Sequence, residues 1–335
     1  MSVCLAVACL ELVEVWLRHD GRFETYYERN GLRDPGYGAE QLLEPYLHIY
    51  PKNEHALLRK TEFTAENSSN SEGLVDAETP VEKAPGEFRI LTLGDSFTEG
   101  VGASVDRSYP AVLRRLLSAR PGQMTYTVMN AGISGSDPVF AIELLRRRLL
   151  KYQPDLVLMM INSSDVDDLK RLGGFDRFAP NGQLRERPLP WWTGLFERSH
   201  LLRAFVLKVL HYDWNLHSPD EARAGTQDAI QDLIQSGIVA TRLAAENGFK
   251  LIVIVQPTWW DVQSRTMIPE LVEVENGLRS AEVDYADLLP YFVAELPTPV
   301  PLDYYWPKDF HFTAKGYEIL ARAVQSEIRE RGLLH

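Results

Sequence analysis

Two residues far apart in the chain, Ser96 and His311, are of the types that together perform nucleophilic chemistry. Ser96 lies in LGDSFTEG, and His311 lies in WPKDFHFTAKGY, two residues after Asp309. A serine hydroxyl is activated by a base, and a histidine base needs a carboxylate to hold its tautomer. On an extended segment, side chains two residues apart point to the same side. The pattern predicts a nucleophile, a general base and an orienting acid; the alternatives are a helix-capping serine and a solvent-facing histidine.

Apolar runs alternate with helical patterns over residues 86–335, and this alternation indicates how those side chains are brought together. The predicted strands are Arg89–Leu93, Thr125–Met129, Asp155–Ile161, Phe249–Val255 and Val283–Leu288. The predicted helices are Tyr109–Arg120, Pro138–Tyr152, Thr226–Asn247 and Ala314–Arg331. Strands that are apolar on both faces are typical of a parallel sheet covered by helices on both sides. The sequence therefore predicts an α/β fold: a three-layer α/β/α domain with a central five-stranded parallel sheet.

Three polar segments, GDSFTEG, NAGISG and INSSD, each follow one of the first three predicted strands. Ligands bind at the carboxyl ends of the strands in such sheets. We therefore expect the three segments to meet at one edge of the sheet and to form the site there.

These segments resemble the conserved blocks of the SGNH/GDSL hydrolases. GDSFTEG is similar to the first block, NAGISG to the second and DFHFTAKG to the last, and the resemblance covers residues 86–335. It implies a flavodoxin-like SGNH hydrolase fold in which Ser96 attacks an acyl carbonyl without a cofactor. It also implies that the backbone N–H groups of Ser96 and Gly135 form part of the oxyanion hole.

Two positions depart from the family pattern. The third block usually reads Gly-x-Asn-Asp, and here Asn162-Ser163-Ser164-Asp165 occupies its place. The third oxyanion donor is therefore Asn162, or Ser164 through its hydroxyl, or it is absent. The last block usually has the spacing Asp-x-x-His, whereas Asp309 and His311 are separated by one residue. Asp309 is therefore the candidate acid at a spacing that differs from the family's, while Ser96 and His311 match their blocks.

The leading functional prediction is a serine esterase that cleaves an acyl ester, with acetyl esters included, through a Ser-His-Asp triad and an acyl-enzyme. One alternative is an O-acyltransferase or acetyl esterase acting on cell-envelope polysaccharide. Another is a catalytically weak binding protein that has kept the fold, which the altered third block would explain. The expected partner is a small-molecule or glycan ester.

Composition excludes some classes of partner. The formal net charge is −12, which argues against general binding of nucleic acid or of an anionic membrane surface. The two cysteines, Cys4 and Cys9, lie in the first ten residues, so the body of the chain has no disulfide framework. A short acidic cluster at Asp165, Asp167 and Asp168 fits no metal-binding motif.

The flanking segments allow more than one interpretation. Residues 1–18 are mostly apolar and end near Trp16 and Arg18, which fits either the tail of a truncated membrane anchor or an amphipathic helix packed on the domain. Residues 19–85 form an irregular or β-rich appendage. Its segment FTAENSSNSEGLVD resembles the leader of bacterial membrane-anchored SGNH-like proteins, which favours an extracytoplasmic location, periplasmic or cell-envelope, with a cytoplasmic one left open.

An insertion interrupts the alternation at residues 169–219. It contains the pair Trp191-Trp192 and an apolar helical stretch near Ser199–Tyr212. It is either a lid or wall for the substrate or a cap with a small core of its own.

Overall fold

The protein is described by a computed structural model that covers residues 2–25, 41–44, 47–119, 124–177 and 189–334. The remaining parts of the predicted appendage, insertion and hydrolase domain lie outside the described residues. The chain begins with helix α1 (Ser2–Asp20). Four short strands follow in two antiparallel pairs: β1 (Gln41–Glu44) with β2 (Leu47–Ile49), and β3 (His55–Arg59) with β4 (Thr64–Ser68).

The predicted five-stranded parallel sheet is confirmed. Its strands are β5 (Glu87–Gly94), β6 (Thr125–Gly132), β7 (Leu156–Ile161), β8 (Lys250–Val255) and β9 (Tyr285–Asp287). They lie in the order β6-β5-β7-β8-β9, and every neighbouring pair is parallel. All six residues of β7 are buried, as are seven of the eight in β5. Both faces of the central strands are therefore covered, which is why these strands are apolar throughout.

Helices flank the sheet in two packed groups. The helices after β4 are α2 (Ser96–Glu99), α3 (Tyr109–Ser118), α4 (Pro138–Leu144), α5 (Ser163–Leu172), α6 (Thr193–Phe196), α7 (His200–Lys208), α8 (Pro219–Asn247), α9 (Trp259–Ser264), α10 (Pro269–Ser280), α11 (Leu289–Glu295) and α12 (Ala314–Glu330). Helices α3, α11 and α12 pack together, and helices α4, α5 and α10 pack around α8. With the sheet between them they give the three layers of the predicted α/β/α fold.

Two predicted helices have different bounds in the structure. The helix predicted from Thr226 begins earlier, at Pro219, because the Ser218 hydroxyl accepts the Glu221 N–H while the Glu221 carboxylate accepts the Ser218 N–H. This reciprocal cap is a standard helix start. In the helix predicted over Pro138–Tyr152, only α4 is α-helical. A π-helical turn (Leu145–Leu149) and a 3-10 turn (Leu150–Tyr152) follow it. The π-helical turn, which is the wider of the two, keeps Leu145 and Leu149 buried.

Helix α1 packs against α7, which lies in the predicted insertion. The Glu14 carboxylate accepts the N–H groups of His200 and Leu201 at 3.0 and 2.7 Å. It thus satisfies amides at the start of α7 that have no partner inside the helix. Within the ranges given above, no helix has both the length and the apolar character needed to cross a membrane.

The predicted insertion begins inside α5 and ends where α8 starts. Its described part has a small hydrophobic core of its own, made by Phe196, Val206 and Leu216 with Trp192 and Tyr212 packed against it. Trp191 is 90% exposed.

Candidate active site

Ser96 is the first residue of α2, directly after the carboxyl end of β5. The preceding residue, Asp95, caps the helix by accepting the Phe97 N–H at 2.9 Å. Gly94 has φ +156°, and a Cβ there would lie 2.2 Å from the Thr98 side-chain oxygen. The tight turn that presents the Ser96 hydroxyl at the edge of the sheet therefore requires glycine at position 94.

The side chains of Ser96, His311 and Asp309 form one hydrogen-bonded chain. The His311 Nε2 atom lies 2.7 Å from the Ser96 Oγ atom, and His311 Nδ1 is hydrogen-bonded to Asp309 Oδ1. Ser96 and His311 are each 9% exposed, and the Asp309 side chain is fully buried. A serine hydroxyl, an imidazole and a carboxylate in this order can activate the hydroxyl and hold the imidazole in one tautomer.

The backbone between Asp309 and His311 is not extended, so the extended geometry expected from the sequence is wrong. Phe310 has φ +66°, in the left-handed region. Its N–H donates to the Trp306 carbonyl at 2.7 Å, and the Trp306 N–H donates to the His311 carbonyl at 2.9 Å. This turn brings the carboxylate and the imidazole together although only one residue separates them.

Asp309 has partners outside the last block. The Lys60 Nζ atom, from the turn between β3 and β4, donates to Asp309 Oδ2 at 2.7 Å. The Glu62 carboxylate accepts the N–H groups of Lys308 and Asp309 at 2.8 and 2.9 Å. Burial tends to raise the pKa of the Asp309 carboxyl, but the contacts with His311 and Lys60 outweigh it and hold that pKa well below its usual range. Asp309 is therefore a carboxylate at neutral pH.

Gly135 lies in the loop after β6, where the second block was identified. It has φ +74°, and a Cβ there would meet nothing within 4 Å. Among the described residues, none accepts a hydrogen bond from its N–H. The loop is fixed one residue earlier, because the Ser134 N–H donates to the Glu99 carboxylate at 2.7 Å. The Gly135 N–H is thus held in a defined loop, and the loop is open on the side where a Cβ would lie.

Glu99 is a buried carboxyl beneath this loop. The Tyr50 hydroxyl donates to it at 2.9 Å, and the Asn67 amide lies at 3.4 Å. Burial raises the pKa of Glu99 to about 7, even though the bonds from Tyr50 and Ser134 act in the opposite direction. Both Tyr50 and Asn67 belong to the N-terminal appendage, which therefore contributes to the surroundings of the site.

Asn162 and Ser164 lie beside Asp95 at the end of β7. The Asn162 side-chain amide donates to Asp95 Oδ2 at 3.1 Å, and its carbonyl oxygen accepts the Ser164 N–H at 2.9 Å as the cap of α5. The Ser164 hydroxyl lies 2.9 Å from the same Asp95 oxygen and 2.6 Å from the Asn162 carbonyl oxygen. Both side chains are therefore engaged with the residue before Ser96, and neither is hydrogen-bonded to Ser96 or Gly135 in the described structure.

Aromatic rings line the side of the site near His311. The Phe97 ring lies 4.7 Å from the imidazole, measured between centroids. Phe310 contacts Trp260 at 5.5 Å and Trp259 at 6.1 Å, and Trp260 is 58% exposed. In the described part of the chain, no group of three or more His, Cys, Asp or Glu side chains could hold a metal ion.

Four residues of this arrangement were missed by sequence reasoning: Lys60, Glu62, Glu99 and Phe310. Glu99 stands inside GDSFTEG, so its place in the first block was a usable signal. Nothing in the local sequence marks Lys60 or Glu62, because their contacts with Asp309 depend on how a distant hairpin docks.

Three solved structures with similar folds are esterases or acylhydrolases. One is a two-domain esterase active on acetylated mannans, 13% identical, with a TM-score of 0.43 over 73% of this chain and 49% of that one. Another is a lipase/acylhydrolase from Enterococcus faecalis, 17% identical, with a TM-score of 0.42 over 73% of this chain and 96% of that one. A third is a catalytic mutant of an acetylxylan esterase from Geobacillus stearothermophilus, 21% identical, with a TM-score of 0.43 over 72% of this chain and 94% of that one.

The chain spans about half the length of the two-domain esterase. No curated protein sequence matches it. The model of the GDSL-like lipase/acylhydrolase family matches residues 92–319, which include Ser96, Gly135 and His311. The chain therefore belongs to the GDSL-like lipase/acylhydrolase family and is an ester hydrolase.

Proposed function

We propose that Ser96, His311 and Asp309 form the catalytic triad of this ester hydrolase. The observation that carries the proposal is the 2.7 Å separation of His311 Nε2 and Ser96 Oγ. His311 takes the hydroxyl proton as the Ser96 oxygen bonds to the ester carbonyl carbon. The imidazolium then gives that proton to the departing alcohol, which leaves an acyl-serine. Water, deprotonated by His311, attacks the acyl-serine and releases the acid and the free Ser96 hydroxyl.

The oxyanion of each tetrahedral intermediate would be held by the N–H groups of Ser96 and Gly135. Support comes from the absence of any acceptor for the Gly135 N–H within the described residues. Asn162 and Ser164 remain the candidates for a third donor. The Ser164 hydroxyl has one proton, so it must exchange its present bond for one to the oxyanion, whereas the Asn162 amide has a second N–H beside the one that donates to Asp95. Such an exchange contributes less than a donor that is already free and aligned.

For the alcohol part of the substrate we propose a sugar ring, and for the acyl part a short group such as acetyl. Trp260 contacts Phe310, the residue before His311, and its exposed ring offers an aromatic surface of the kind that packs against the apolar face of a sugar. The products distinguish hydrolysis from transfer. Free acetate alone identifies an acetyl esterase, and acetate transferred to an added sugar acceptor identifies an acyltransferase.

The triad is tested by labelling with a fluorophosphonate, which reacts with activated serines. Wild-type protein should be labelled and should hydrolyse p-nitrophenyl acetate, and Ser96→Ala should do neither. Ser104→Ala is the matched control, because Ser104 is an exposed serine bonded to Asp106. Full turnover by Ser96→Ala would refute the assignment. A wild type that is folded but neither labelled nor active would favour the binding-protein alternative.

We also propose an extracytoplasmic location, with α1 resting on a membrane surface. Leu5, Leu12 and Trp16 follow one face of this helix and are 68%, 70% and 56% exposed. A helix with such a face can lie in the interface of a bilayer without crossing it. Sedimentation with neutral phospholipid vesicles should retain the wild type but release a Leu5→Asp/Leu12→Asp variant. A wild type that stays in the supernatant would contradict the membrane contact.

A further inference from the structure

A buried lysine from the N-terminal appendage touches the acid of the triad. Lys60 lies in the turn between β3 and β4, and its Nζ atom is 2.7 Å from Asp309 Oδ2. Both side chains have no exposed surface. The other carboxylate oxygen of Asp309 faces His311 Nδ1. Asp309 therefore bridges the Lys60 amine on one side and the imidazole on the other.

The turn that carries Lys60 is fastened to the last block by contacts of its own. The Lys60 N–H donates to the Phe63 carbonyl at 2.9 Å, which closes the turn. The Phe63 ring lies 5.2 Å from the Trp306 ring, and Glu62 accepts the N–H of Asp309 at 2.9 Å. Lys60 is thus held at Asp309 by packing and by backbone hydrogen bonds, and not only by the ion pair.

Charge balance gives this contact a consequence for His311. A buried carboxylate without a counter-ion is costly, and a neighbouring imidazole relieves that cost by taking up a proton. An imidazole that is already protonated cannot accept the Ser96 proton. With Lys60 present, the lysine and Asp309 already balance each other. The other charged groups beside this pair are acidic: Glu62 accepts the Asp309 N–H, and Glu99 lies near Lys60.

We propose that Lys60 is a positioning residue that supplies the positive charge balancing the buried Asp309 carboxylate, so that His311 rests as a neutral base. Lys60 acts through Asp309 and does not touch the substrate. The inference rests on the proposed function, because it assigns the lysine to the triad proposed there. It also makes the N-terminal hairpin part of the catalytic unit.

The test is the pH dependence of kcat/KM for p-nitrophenyl acetate in Lys60→Met, which keeps most of the length of the side chain and removes its charge. Removing the cation leaves the buried Asp309 carboxylate unbalanced, so the acid limb of the profile should move up by about one pH unit. On that limb the rate falls about tenfold. Lys60→Arg keeps the charge and should keep the limb in place. Lys151→Met, which breaks a half-exposed pair with Glu72, is the matched control and should match the wild type.

A role limited to structure would lower the plateau of the profile without moving its acid limb, and that result would overturn the proposal. A second comparison covers the case in which Lys60→Met does not fold. In an Asp309→Asn background, Lys60 is left without its carboxylate partner. Adding Lys60→Met should then cause no further loss of kcat/KM and should raise the unfolding midpoint. A further tenfold loss of activity in the double variant would also overturn the proposal.

The two proposals fail in different ways. If Ser96→Ala keeps full activity, the triad itself is wrong. If Ser96→Ala is inactive while Lys60→Met has the wild-type pH profile, the triad stands and only the role of Lys60 is refuted.

Discussion

Replacing Glu99 by glutamine should change how the stability of the protein depends on pH. Glu99 is buried beneath the loop that holds Gly135, and burial raises its pKa to about 7 from the ordinary value of 4.5. The folded protein therefore binds this proton more tightly than the unfolded chain does. Such a group favours the folded state at pH below 4.5, and this contribution is lost as the pH rises from 4.5 to 7.

The magnitude follows from the difference between the two pKa values. At about 1.4 kcal/mol per pH unit, a carboxyl whose pKa rises from 4.5 to about 7 costs the fold about 3 kcal/mol once it is ionised in both states. Part of this cost is already present at pH 5. Between pH 5 and pH 8 the free energy of unfolding of the wild type should therefore fall by roughly 2–3 kcal/mol more than that of Glu99→Gln.

Glutamine is a suitable replacement because it resembles the protonated carboxyl in shape and carries no charge. In the wild type, the Tyr50 hydroxyl and the Ser134 N–H donate hydrogen bonds to Glu99 Oε2, and the glutamine side-chain oxygen can still accept both. Its NH2 group would face Asn67, whose own amide can turn to present the oxygen. The loop before Gly135 should therefore keep its conformation.

The assay is urea denaturation of both proteins at pH 5 and pH 8. Other carboxyls with a raised pKa, such as Glu275 and Asp168, are present in both proteins and cancel in the difference. Glu318→Gln is the matched control, because Glu318 is a half-exposed partner of Arg107 and should leave the pH dependence unchanged. The reasoning is refuted if Glu99→Gln and the wild type lose the same free energy between the two pH values.

Two further predictions concern backbone conformation at the site. Phe310→Gly should keep kcat for p-nitrophenyl acetate within a few-fold, because glycine readily adopts the left-handed φ of +66°. Phe310→Pro cannot adopt it and should lose activity about 100-fold or more; an active proline variant would show that the turn is not needed. Gly135→Ala should lower the free energy of unfolding by about 1 kcal/mol through its positive φ alone, since its Cβ has room. Thermal denaturation measures this cost, and an unchanged midpoint would contradict it.

The sequence alone determined the fold and marked the candidate catalytic residues. Strands such as Leu156–Ile161 are apolar on both faces, which fits only a covered parallel sheet when helices alternate with the strands. The family blocks marked Ser96, Gly135, Asp309 and His311. The fold prediction succeeds because hydrophobic periodicity is a local property of the chain, and block spacing is a local property as well. The signal that starts α8 at Pro219 is also local in the sequence, since Ser218 and Glu221 form a recognisable cap.

Only the tertiary structure decided how those groups are held. The contact of Lys60 with Asp309 joins residues 249 positions apart, and it depends on the docking of the β3–β4 hairpin, which no periodicity encodes. Asp309 and His311 are hydrogen-bonded in spite of their unusual spacing, because the surrounding turn holds Phe310 in a conformation that non-glycine residues adopt rarely. Asn162 and Ser164 had the chemistry of oxyanion donors, but hydrogen bonds to Asp95 already engage both. Long-range packing and competition for hydrogen-bond partners are set by the whole fold, and therefore they became visible only in three dimensions.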